Sequence, residues 1–208
     1  MGKGSWRHGS RGAAGVSPRF HRWAVRYGAM LAGLFVLLAG GGHRGGAQST
    51  EEEYRVKAAF IFHFAQLVDW PADTPMDTEN SLFVCTLGDD PFQGALESSI
   101  AGKIIGNRVM RIRHLAEAQY LQSCQILFIG KGQSRRIPAL VADLHHAPVL
   151  TVGETAGFVG MGGMIGFLLE QNRVRFEINL AAAESARLKI GSRLLMLAQT
   201  VVREDPGK

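Results

Sequence analysis

Gly162-Gly163-Met164-Ile165-Gly166-Phe167-Leu168-Leu169-Glu170-Gln171-Asn172-Arg173-Val174-Arg175-Phe176-Glu177-Ile178-Asn179 is the stretch whose reading decides the fold. Two runs rich in β-forming residues flank a short polar turn, Glu170 to Arg173, and this pattern predicts a β-hairpin. In the second run Val174, Phe176 and Ile178 alternate with Arg173, Arg175, Glu177 and Asn179. Alternation of period two sends the first set toward a core and the second set to the opposite face. That second face reads either as solvated surface or as a place where a partner docks. Arg175, Glu177 and Asn179 are the residues singled out for docking.

Upstream of the hairpin, four strand-and-helix units follow one another at short spacing. Strands are expected over residues 82–87, 108–113, 124–129 and 149–152, and helices over 91–100, 115–121 and 134–145. Repeated βα units of this size favour a largely parallel sheet with helices on both faces. The expected fold is therefore α/β, a single-domain sandwich with a mixed, largely parallel sheet and a C-terminal antiparallel hairpin. An almost wholly apolar helix over residues 51–68 precedes the units, with Glu51, Glu52 and Glu53 in its first turn and Ser49 or Thr50 as its cap. A final helix, capped by Ser192, is expected over residues 193–202.

The chain begins differently. Its first 47 residues hold seven Lys/Arg and no Asp or Glu, then an apolar run over residues 29–39 and a Gly-rich end at Ala47. A basic region, a short apolar region and small residues before a cut describe a secretory signal peptide. The apolar run falls short of the roughly 20 residues that span a bilayer. The organisation expected is a leader over 1–47, cleaved after Ala47, and one domain over 48–208, with no membrane insertion after cleavage. The whole chain carries +5, yet removing those seven cations leaves 16 Lys/Arg against 18 Asp/Glu, a net −2. So mild an acidity gives no electrostatic footprint for nucleic acid.

Motifs for catalysis are missing from this reading. There is no His-Glu-x-x-His, no Gly-x-Ser-x-Gly and no Walker A loop. His145 and His146, placed on a helix, point about 100° apart and read as a polar helix end; His63 reads as an ordinary histidine of the apolar helix. The glycines of residues 157–166 open a strand, not a helix, so they suit tight turns and close backbone approach better than a phosphate. Gly88-Asp89-Asp90 ends the first strand of the sheet, where α/β folds often bind ligands, and its carboxylates would tolerate a cation. No metal, cofactor or catalytic residue is assigned, and an enzyme is not expected. Cys85 and Cys124, 39 residues apart, each lie in an expected strand of the exported part. A disulfide between neighbouring strands is the first reading there, and two buried thiols the other.

Residues 56–71, Val-Lys-Ala-Ala-Phe-Ile-Phe-His-Phe-Ala-Gln-Leu-Val-Asp-Trp-Pro, resemble the opening helix of the YfiR family of exported bacterial proteins. The resemblance continues through residues 124–129, 150–152, 162–165, 175–179, 188–190 and 194–198, in the family's order. It implies a compact α/β periplasmic repressor, commonly dimeric, that binds the periplasmic region of a membrane-bound diguanylate cyclase and holds it inactive. It also implies that losing this contact raises cyclic-di-GMP and promotes biofilm. Cys85 and Cys124 fit the family's strand-linking pair, whereas the second pair some relatives carry near the Gly-Gly-Met-Ile block is absent. The competing expectation is a periplasmic receptor whose small-molecule ligand tunes a membrane partner. The sheet edge expected near Gly88 and the basic strand with Arg108, Arg111 and Arg113 motivate it.

Overall fold

A computed structural model describes residues 45–74 and 80–203, with side chains from residue 50 onward. The expected leader lies outside the described residues as far as Arg44, and from Gly45 the chain forms one compact unit.

Helix α1 (Gly45–Leu67) leads through β1 (Val68–Asp69) to β2 (Ser81–Leu87). Then come α2 (Ala95–Ile100), β3 (Ile104–Ile105), β4 (Arg108–Leu115), β5 (Ile126–Ile129), α3 (Ile137–Asp143) and β6 (Leu150–Gly153). The hairpin strands β7 (Ile165–Glu170) and β8 (Arg173–Asn179) are followed by α4 (Leu180–Ser185), β9 (Lys189–Ile190), α5 (Ser192–Leu197) and β10 (Thr200–Val202).

Eight strands form one sheet in the order β10-β8-β7-β6-β5-β2-β4-β3. β2 pairs in parallel with both β4 and β5, and the parallel run continues through β6 to β7. Only β3–β4 and the hairpin β7–β8 are antiparallel, while β10 returns in parallel beside β8. The fold is thus α/β, with a mixed, mostly parallel sheet and an antiparallel hairpin. β1 and β9 pair separately as a small antiparallel ribbon.

The apolar runs of β2 and β5 are buried at every position, as strands covered on both faces must be. On one face Val84, Phe128, Val152, Phe167 and Phe176 pack beneath α1 and α2. Phe64 of α1 meets the Phe176 ring at 5.2 Å and the Phe167 ring at 5.7 Å. Burying rings of this size contributes roughly 1.5–3 kcal/mol each. On the other face Phe83, Cys85, Leu127 and Ile129 pack against Ile137, Leu140 and Val141 of α3 and against Phe158. Cys85 and Cys124 are joined there, Cα to Cα 6.0 Å. Cys124 lies just before β5, the strand that pairs with β2, and this brings the two thiols together. On the chain-entropy account, closing a loop of that length contributes roughly 4 kcal/mol.

Several boundaries differ from the sequence reading. α1 starts at Gly45, so Glu51 to Glu53 lie past its first turn, and Glu51 and Glu52 pair with Arg55 instead. The helix expected over 115–121 is absent: β4 runs on to Leu115, and a 3-10 turn covers Leu121–Ser123. The terminal helix stops at Leu197 and the chain then becomes β10, with Val201 opposite Ile178. Edge pairing with β8 overrides the apolar helical spacing read there, and Gly191, not Ser192, takes the cap position.

Candidate partner-binding site

The hairpin turn is Gln171-Asn172, with φ of 49° and 61°. Two consecutive left-handed residues make the type I′ geometry that matches strand twist, and Asn tolerates it well. The turn fixes the register Glu170↔Arg173, Leu168↔Arg175 and Gly166↔Glu177. Phe176 and Ile178 are 1% and 0% exposed and point at α1. Arg173, Arg175 and Glu177 therefore stand on the opposite face, which α3 and Phe158 cover over the central strands as far as Gly166, the partner of Glu177.

Arg173 and Arg175 are exposed, and the Arg175 guanidinium passes 3.9 Å from the Glu170 carboxylate with about half of each side chain in solvent. Such a pair is weak and leaves Arg175 available to a partner. Glu177 is half-buried against Gly166, and burial pushes its carboxyl above the ordinary carboxylate range. Asn179 behaves differently from its row. It is 1% exposed, its Oδ1 accepts from Ala182 N–H at 3.0 Å, and its Nδ2 donates to the Val159 carbonyl at 3.3 Å. It is the N-cap of α4, and this burial takes it off the accessible face.

The glycines beside the hairpin seat a ring. Phe158 is fully buried, and a Cβ on Gly153 or Gly163 would come within 2.4 Å and 2.1 Å of it. The segment thus serves close backbone approach, and Phe158 supports β6 and β7 beneath the outer row of the hairpin.

A second cluster is barely marked in the sequence. Lys57, in the middle of apolar α1, is 2% exposed and bonds Glu154, which follows β6. Glu53 lies 2.5 Å from the same ammonium, and the Tyr54 hydroxyl donates to Glu154 at 3.1 Å. Two carboxylates around one ammonium leave an excess negative charge; burial first, then Glu154, raise the Tyr54 hydroxyl well above its ordinary pKa, so it stays a donor. The only hint in the chain is a lysine among apolar neighbours, and its partner is 97 residues away.

Two further groups have the residue types of chemistry. Thr86 Oγ1 lies 2.8 Å from His114 Nδ1, and His114 Nε2 lies 3.0 Å from Glu97 Oε1. Hydroxyl, imidazole and carboxylate form a chain, yet Thr86 is 0% exposed, so no substrate reaches the hydroxyl and the chain ties α2 to the sheet. His145 and His146 lie in a turn after α3, not on a helix, with rings edge to face at 4.4 Å. Among the described residues no group of three or more His, Cys, Asp or Glu could hold a metal ion. Of the basic strand, Arg113 is stacked on Phe83, its guanidinium carbon 3.3 Å from the ring centroid, and donates to Ser123 Oγ. No helix among the described residues is long and apolar enough to cross a membrane.

An N-terminal helix over a mostly parallel sheet, closed by an antiparallel hairpin, defines a small α/β domain. Residues 54–199 match the YfiR/HmsC-like family, and the chain belongs to that family. The family is one of periplasmic regulators linked to diguanylate cyclases. No match is found among curated proteins. Solved structures include an ABC domain in complex with L-Trp from Streptococcus pneumonia, 10% identical, with a TM-score of 0.47 over 70% of this chain and 60% of that one. A conserved domain protein from Vibrio cholerae is likewise 10% identical, with a TM-score of 0.48 over 71% and 60%. The chain spans 60% of the length of each.

Proposed function

We propose that this chain is a periplasmic repressor that contacts the periplasmic region of a membrane-bound diguanylate cyclase and holds the enzyme inactive. Repression lowers cyclic-di-GMP and biofilm formation. The observation that carries this reading is family membership across residues 54–199. The leader, residues 1–47, is removed on export, and residues 48–208 act in the periplasm, alone or as a homodimer. The protein has no catalytic role of its own in this reading.

The contact surface is the outer row of the hairpin, with Arg175 and Glu177 as its charged members. Arg175 is exposed and Glu177 half-buried on a strand whose other row is locked into the core, which supports a rigid docking face. A rigid charged face favours specificity and fast encounter more than raw affinity. The test places a Glu177→Lys chain with its neighbouring cyclase in cells and reads cyclic-di-GMP. Expected is a rise toward the level of a strain lacking the repressor, while far-UV circular dichroism shows the variant still folded. Full repression by Glu177→Lys and by Arg175→Glu alike would move the contact elsewhere.

A further inference from the structure

Outside the carboxyl ends of the parallel strands the structure holds a second feature, remote in sequence from the hairpin. From β2 the chain passes to β4 on one side, then returns to β5 on the other. In open α/β sheets a reversal of this kind opens a crevice at the strand ends. Beside it, between α1 and the turn after β2, lies a cavity of about 370 Å³ lined by Thr50, Glu51, Tyr54, Pro91, Phe92 and Gln93. That volume falls within the range of small-molecule sites.

Its inner wall is built of packed rings. Tyr54 and Phe92 meet edge to face at 5.4 Å, and Phe92 rests on Phe128 at 4.7 Å. The Asp90 carboxylate accepts the Phe92 N–H at 3.0 Å and pins the turn. Gln93 at the rim is held at φ 49°, a left-handed conformation that disfavours a residue with a side chain. Behind Tyr54 sit buried Lys57 and Glu154 with half-buried Glu53, two carboxylates around one ammonium. At the mouth Glu51 pairs, among the described residues, with exposed Arg55 at 3.0 Å, a contact weak enough for another cation to displace.

We propose that this cavity binds a small primary amine, its ammonium at Glu51 and its apolar body against the rings of Tyr54 and Phe92. The negative surroundings disfavour an anion of the same shape. The aromatic walls favour a carbon chain over a bare metal cation. Nothing here depends on the cyclase partner, because binding belongs to the isolated chain.

The test titrates the purified, isotope-labelled chain with hexylamine, hexanoate and hexanol and follows backbone amide resonances. Hexylamine should move the amides of Thr50, Glu51, Gln93 and Gly94 saturably, with a Kd of about 1 mM or tighter. Hexanoate should bind at least about tenfold more weakly. Glu51→Gln, an exposed change that leaves the fold intact, should weaken hexylamine roughly two- to fivefold. Glu51→Lys should abolish the response. Equal responses to all three compounds, shifts confined to other residues, or unchanged affinity in Glu51→Lys would each overturn the proposal.

Discussion

On β8, two rows of side chains, one residue out of phase, meet opposite surroundings. Val174, Phe176 and Ile178 face α1, where rings from two strands and a helix interlock. Arg173, Arg175 and Glu177 face outward, with a single long ion pair between them and β7. The same backbone therefore carries a row set by packing and a row open to a partner. Changes in the first should read out as stability, and changes in the second as repression.

The sharpest way to break that division is at the contact that fastens α1 over the inner row. Glu154→Ala leaves Lys57 buried with Glu53 alone, and should cost about 3–5 kcal/mol in urea unfolding. A loss below about 1 kcal/mol would mean that Glu53 suffices as the counter-ion. Next comes the ring seat. Gly163→Ala sets a methyl into Phe158 and should cost about 1–3 kcal/mol, whereas Gly160→Ala, with no atom within 4 Å, should be nearly neutral.

Asn179 tests the boundary between the rows. It shares the outward phase of Arg175 but caps α4 from a buried position. Asn179→Ala should lose about 1 kcal/mol of stability while repression is retained. If repression is lost at unchanged stability, the residue belongs to the contact after all.

The smallest effect on stability is expected at Glu177. Its folded pKa is raised by burial, so its contribution is favourable below the unfolded carboxylate value and is lost as pH rises through the folded one. At neutral pH ionised Glu177 thus works against the fold. Glu177→Gln should unfold at the same temperature as the parent at low pH and slightly higher at neutral pH. A lower midpoint at neutral pH would show the carboxylate to be a favourable partner instead.

Legibility followed the range of the interactions. The hairpin, its turn and the buried character of residues 126–129 could be read directly, because alternation and apolar runs record what a strand faces. The end of the chain could not. Leu194, Leu195 and Leu197 space like a helix, but the residues beyond them add to the edge of β8, and edge pairing is a property of the neighbour. Asn179 carried a charged-face phase but a capping role, since the strand ends there and α4 begins at once. Glu154 could not be matched to Lys57 at all, because nothing local marks a charge that burial will pair.

The sequence by itself determined the α/β class, the hairpin and its two-faced strand, because these follow from side-chain period and turn chemistry within a few residues. The tertiary structure alone decided the strand order, the buried Lys57–Glu154 contact, the glycine seat of Phe158 and the cavity beside Tyr54. Each of these joins residues far apart in the chain, and only the closing of the core sets which ones meet.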